Sequence, residues 1–248
     1  MRKPGEPWKI LSVLDSADVS IAQDELKGGC NGFVLKTLDS VQALRGLPLH
    51  TFSIRNEAGD VAALALADLI EKQPIDPARL DICFGASDEV LSLRGFKGPF
   101  YHIAHDELSA IMTEAKALKS TSLSVSLIAR PHMFETLARF RALRSLWQKE
   151  LPLVALNLHA EVQEPTGETN EQYMLRCVSS AMGAGLGGAD SITIAPHTSG
   201  GEFERRMVRN IQNILLRESH LADVHDAAAG SHYVEQLTQE LLENATCA

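Results

Sequence analysis

Apolar strand-like segments alternate with helical ones along nearly the whole chain, and this alternation restricts the fold more than any other feature. GFVLK (32 to 36), LHTFSIR (49 to 55), LDICFGA (80 to 86) and FYHIAH (100 to 105) read as strands. SLSVSLIAR (122 to 130), LPLVALNLHAEV (151 to 162) and DSITIAPH (190 to 197) continue the series, and ADVH (222 to 225) reads as an eighth. Helical patterns fill the intervals: Asp18 to Leu26, Ser40 to Leu44, VAALALADLIEK, Glu107 to Leu118 and Asn170 to Met182. Pro131 suits the first turn of a helix carrying Phe134, Leu137, Phe140, Leu143 and Trp147. After the third strand, SDEVLSLRG has only a weak helical signal. The segment from Arg205 closes the chain as helix, strand and helix. Met207, Ile211, Ile214 and Leu215 share one face of its first helix, and Ser231 caps the last, which begins at His232. Strands joined by helices run parallel. Strict alternation over 248 residues, with no linker or repeat, predicts one α/β domain over 1–248: a (β/α)8 TIM-like barrel rather than an open doubly wound sheet.

Successive strand residues point alternately to the helices and to the barrel axis. If Leu123, Val125 and Leu127 face the helices, then Ser122, Ser124 and Ser126 face inward. The same alternation turns Thr51, Ser53 and Arg55 inward, then Ala155, Asn157 and His159, then Ser191, Thr193, Ala195 and His197. Barrel interiors are ordinarily packed with bulky branched residues, so this lining is unusual. Buried hydroxyls without partners cost about 1–3 kcal/mol each. The axis is therefore either a wet or ligand-filled channel, or a polar core whose groups bond one another. Active sites of this fold lie at the C-terminal ends of the strands, where Arg55, His102, Arg130, His159, Gln163 and His197 fall. The histidines lack ligand spacing within an element, and His102 and His105 lie on opposite strand faces, so no metal site is expected.

With 32 acidic against 23 basic residues the net charge is −9, which excludes general attraction to nucleic acid or anionic lipid. MRKPGEPWKI has no apolar signal core and no run reaches membrane-spanning length, so a cytoplasmic location is expected. Cys30, Cys83, Cys177 and Cys247 are scattered without a C-x-x-C pair and read as reduced structural residues. Gly183, Gly185 and Gly188 satisfy G-x-G-x-x-G, yet they follow a helix and precede a strand, the reverse of a dinucleotide site.

RNIQNILLRESHLADVHDAAAGSHYVEQLT (209 to 238) resembles the end of the substrate barrel of the methylmalonyl-CoA mutase family. That family reads R-N-x-Q-x-x-L-x-E-E-S-H-L-x-x-V-x-D-P-A-G-G-S-Y-Y-V-E-x-L-T, with Ala227 and Ala229 replacing its Pro and one Gly here. The resemblance implies an isomerase-type barrel in which the pantetheine arm of an acyl-CoA threads the axis. Tyr101 and His102 match a Tyr-His pair in which the His donates a hydrogen bond to the substrate thioester carbonyl; this makes them the catalytic candidates. Arg55, Ser124, Ser126, Asn157, His159, Gln163, Thr193 and His197 become candidate substrate contacts. HAEVQEPTGETNEQYMLR (159 to 176) is similar to the family segment facing cobalamin, with Gln163, Glu164 and Thr166 in its loop and Arg176 beyond. The family's aromatic and Ser/Thr pattern is not kept there, and a solvated loop is the alternative to a cofactor contact. The family's substrate-carboxylate arginine segment has no counterpart; Arg94 and Lys97 are the only candidate anion ligands near it.

Asp223, His225 and Gly230 partly resemble the D-x-H-x-x-G motif of cobalamin-binding domains, but the required Gly is Ala228. Adenosylcobalamin is therefore expected only where a partner chain supplies its domain: a mutase large subunit or a separate cobalamin-binding protein. A dimer is expected. The alternative is a barrel that is not catalytic itself but binds and stabilises a mutase partner, as the family's small subunit does.

Overall fold

The computed structural model describes residues 6–85, 91, 94–96, 98–164, 167–197 and 201–246. Its centre is an eight-stranded parallel sheet. The strands are β1 (Lys9–Leu14), β2 (Gly32–Leu35), β3 (Ser53–Asn56) and β4 (Asp81–Cys83), followed by β5 (His102–Ala104), β6 (Ser122–Ile128), β7 (Ala155–Val162) and β8 (Ser191–Ile194). They run in the order β4-β3-β2-β1-β8-β7-β6-β5, so the first and last strands are neighbours. At the remaining seam the Phe84 N–H donates to the Pro99 carbonyl at 3.2 Å. Arg55 on β3 reaches Ser124 and Ser126 on β6, a contact possible only when the sheet curls round on itself. The chain is thus a nearly closed (β/α)8 barrel.

The helices are α1 (Val19–Lys27), α2 (Asp60–Glu71), α3 (Leu108–Ala117), α4 (Met133–Glu150), α5 (Asn170–Leu186), α6 (Glu202–Arg217) and α7 (His232–Thr246). Asp18 caps α1 by accepting from the Ser20 N–H, and Thr169 with Gln172 forms a capping box on α5. The outward strand residues Ile103, Leu123, Val125, Leu127, Leu158 and Ile192 are fully buried against the helices. Burial of side chains of this size stabilises by roughly 1.5–3 kcal/mol each. A second cluster around Phe33, Leu35, Ile54, Leu66 and Phe84 closes the other half. Gly185 packs so tightly that an added Cβ would sit 2.6 Å from the ring of buried Trp8. Gly188 turns with φ +95° into β8, so the G-x-G-x-x-G run is packing and turn.

Two strand expectations are corrected. KILSVL is β1, although the N-terminal stretch carried no predicted strand. ADVH is not a strand but part of the turn between α6 and α7, with Val224 57% exposed. The reason is pairing: β1 occupies the slot between β8 and β2, which leaves this segment no ladder to join. The final helix packs instead on α3 and α4. There Arg141 of α4 reaches Glu235 at 2.7 Å and Asp226 at 3.1 Å.

Smaller corrections concern ends. Leu49–Thr51 is a 3-10 turn, so exposed Thr51 does not line the axis; the helix expected over Ser40 to Leu44 is present as the 3-10 helix Asp39–Leu44. β7 begins at Ala155, with Leu153 91% exposed ahead of it. Phe134 is exposed and packs edge-on against Tyr233. Cys30, Cys83 and Cys177 are buried free thiols. Thr166, Lys97, Cys247 and most of the SDEVLSLRG stretch lie outside the described residues.

Candidate site at the C-terminal mouth

Arg55, deep in the barrel and 2% exposed, organises the interior. Its Nη1 donates to Ser124 Oγ at 2.5 Å, its Nη2 to Ser126 Oγ at 2.8 Å, and its Nε to Glu57 Oε1 at 2.9 Å. Nη2 also meets His102 Nδ1 at 2.5 Å. A guanidinium is always charged and has no acceptor. His102 Nδ1 must therefore offer a lone pair, which puts the imidazole proton on Nε2. Burial, and then the Arg55 charge, lower the His102 pKa to about 3, so the ring is neutral near pH 7. Glu57 lies 3.9 Å from Nε2 and pulls the other way, but it is outweighed. The result is a fixed neutral imidazole with an Nε2–H donor, on a side chain 15% exposed at the mouth.

Above this layer Lys36 bridges two carboxylates, Glu57 Oε2 at 2.6 Å and Glu161 Oε1 at 3.1 Å. Burial alone would raise the Glu57 carboxyl, but Arg55 and Lys36 outweigh it and hold Glu57 below the usual range. Lys36 is correspondingly held above its ordinary value: burial lowers it and the two glutamates more than compensate. His159 is buried, and its Nδ1 lies 2.8 Å from Ser191 Oγ. Burial, then Arg55, keep it neutral too. Thr193 is 2% exposed, and its Oγ1 has no hydrogen-bond partner among the described residues.

Of the residues singled out in the sequence, the fold brings Arg55, His102, Ser124 and Ser126 into one network. His159 adjoins it, with Asn157 and Thr193 at inward-facing positions of β7 and β8. Tyr101 does not converge with His102: adjacent strand residues face opposite sides, and Tyr101 packs against the helix-side core. Gln163 is exposed on the loop after β7, where its carbonyl accepts from Tyr173 Oη at 3.4 Å and Arg176 Nη2 at 3.2 Å. His197 stands beside the Tyr173 ring at 5.4 Å, with Nε2 3.3 Å from the Glu168 carbonyl. These three belong to the rim or the core rather than to the Arg55 network. Arg130 is engaged with Asp106 and Glu135, and Arg94 with Asp68, so neither heads the axis as an anion ligand.

Lys36, Glu57 and Glu161 were missed by the sequence reading. The signal was present, since each lies two positions beyond an inward residue: Val34 to Lys36, Arg55 to Glu57, His159 to Glu161. The inward alternation continues through Glu161 within β7 and one residue beyond the ends of β2 and β3, at Lys36 and Glu57.

The family model described as "Methylmalonyl-CoA mutase" matches residues 118–248. A probable methylmalonyl-CoA mutase small subunit of Mycobacterium tuberculosis (strain ATCC 25618 / H37Rv) is 38% identical over 156 residues, covering 54% of this chain and 25% of that protein. The methylmalonyl-CoA mutase small subunit of Streptomyces virginiae is 41% identical over 129 residues, covering 47% and 21%. That of Propionibacterium freudenreichii subsp. shermanii is 30% identical over 138 residues, covering 50% and 22%. The chain thus spans about a quarter, or less, of the length of these relatives. A nearly closed (β/α)8 barrel with a matched second half places this chain in the methylmalonyl-CoA mutase family.

Proposed function

We propose that the chain acts as a small-subunit-type barrel: it works beside a mutase partner and does not itself pass an acyl-CoA arm along its axis. The observation that carries this reading is the Arg55 network, in which one buried guanidinium spans the interior from β3 to β6 and engages Ser124, Ser126, His102 and Glu57. A pantetheine chain would have to displace that guanidinium. Removing one partner of a buried charged pair costs about 3–5 kcal/mol. The partner, a mutase large subunit or a separate cobalamin-binding chain, would supply the adenosylcobalamin domain. Bound there, the cofactor supplies radical chemistry for carbon-skeleton isomerisation. The Asp223 and His225 pair does not have the strand-to-helix setting of a cobalt-ligating loop: both are exposed on the α6–α7 turn outside the barrel.

A second reading rests on His102. Its neutral Nε2–H near the mouth is suited to donate to an acyl thioester carbonyl, in a site where Lys36 and Glu57 order the surroundings. In that reading the acyl group enters from the mouth.

Calorimetry with acetyl-CoA, alone and with a full-length mutase subunit, separates the two. The proposed function expects no saturable heat with the chain alone and a stable complex with the mutase subunit on size exclusion. Saturable acetyl-CoA binding by the chain alone, lost in His102→Ala, would overturn it in favour of the second reading.

A further inference from the structure

We infer that a groove on the outer wall, between the 3-10 helix Asp39–Leu44 and α2, is a binding site for a medium-chain carboxylate. It lies away from the axis and is independent of the function proposed above. The cavity measures about 770 Å³, and its lining includes Val41, Ala65, Leu69 and Ile75. Ala65 and Leu69 fall four residues apart on α2, and Lys72, the C-cap residue three positions on with αR backbone, continues the same face along the groove. Cavities of this size accommodate small molecules and take their orientation from a few polar groups at the edge.

Charge identifies the occupant. Arg45 and Lys72 stand exposed on the lining, and His50 adds a third titratable side chain. The carboxylate on this lining, Asp68, is already bonded to Arg94 at 2.6 Å. Among the described residues neither Arg45 nor Lys72 has an ion pair, although the chain as a whole carries −9. An apolar trough with two uncompensated cations at its rim fits an apolar tail ending in one negative head. A neutral lipid would leave the rim unused, and a polyanion would leave the trough empty.

Titration of the whole chain with octanoate, decanoate and decyltrimethylammonium, each below its micellar concentration, tests the inference. Decanoate should bind saturably at one site, about three- to four-fold more tightly per added methylene than octanoate, and decyltrimethylammonium much more weakly. In Arg45→Glu/Lys72→Glu the preference should reverse toward the cation, each charge contributing up to about five-fold. Ala65→Trp should fill the trough and abolish binding of both amphiphiles while leaving the thermal midpoint near that of the parent. Equal binding of the two head groups, or decanoate binding untouched by both variants, would overturn the proposal, as would no binding at all.

Discussion

Arg55→Ala is the sharpest probe of the interior. The substitution leaves Ser124 and Ser126 without their donor and Glu57 with Lys36 as its remaining cationic contact, in a site that is 2% exposed at Arg55. Removing one partner of a buried charged pair costs about 3–5 kcal/mol. For a chain of this size each kcal/mol shifts the midpoint by roughly 2–4 °C, so the melt should fall by roughly 6–20 °C. Arg55→Met, which fills much of the volume without charge, separates the cavity contribution from the electrostatic one. The double variant Arg55→Ala/Glu57→Gln should lose less than the sum of its singles, with a coupling of about 0.5–3 kcal/mol. Differential scanning calorimetry on the parent, the singles Arg55→Ala, Arg55→Met and Glu57→Gln, and the double variant measures all of this. The His102 imidazole provides a second readout: loss of the Arg55 charge should raise its pKa from about 3 while burial keeps it below the ordinary 6.5. A midpoint drop under about 2 °C for Arg55→Ala, with strictly additive singles, would refute the claim that this guanidinium holds the interior together.

Two further outcomes follow from the same structure. His102 has a folded pKa of about 3 against an ordinary 6.5, so as pH falls below 6.5 the unfolded chain takes the proton first and stability is lost. The slope is about 1.4 kcal/mol per pH unit for this one group. Urea midpoints between pH 5 and 7.5 should decline more steeply for the parent than for His102→Gln, and identical slopes would contradict the assignment. Gly185→Ala should destabilise by about 1–3 kcal/mol through overpacking, because its Cβ would meet the Trp8 ring at 2.6 Å; thermal melts followed by tryptophan fluorescence report it directly.

Alternation of apolar and helical segments was sufficient to indicate a parallel barrel, because strands joined by helices have few other ways to bury both faces. The polar lining was legible for a related reason. In SLSVSLI the serines and the aliphatics occupy opposite faces whatever the partner strands are, and the structure puts Ser124 and Ser126 inside. The seventh and fifth predicted strands likewise kept their register as β8 and β6.

What required the tertiary structure was pairing and reach. KILSVL and ADVH are both short segments with strand-forming residues, and only the vacant ladder between β8 and β2 decided that the first joins the sheet and the second does not. Tyr101 and His102 are adjacent in sequence yet separated by the sheet itself, whereas Arg55 and Ser126, 71 residues apart, share a hydrogen bond. Lys36, Glu57 and Glu161 sit on three different strand ends, and nothing local in the sequence reveals that their charges meet. Local sequence determines which face a side chain takes, because that depends on backbone period alone. Which groups converge, which charges cancel and whether an axis stands open or is spanned by one guanidinium depend on closure of the ring, a property of all the strands at once.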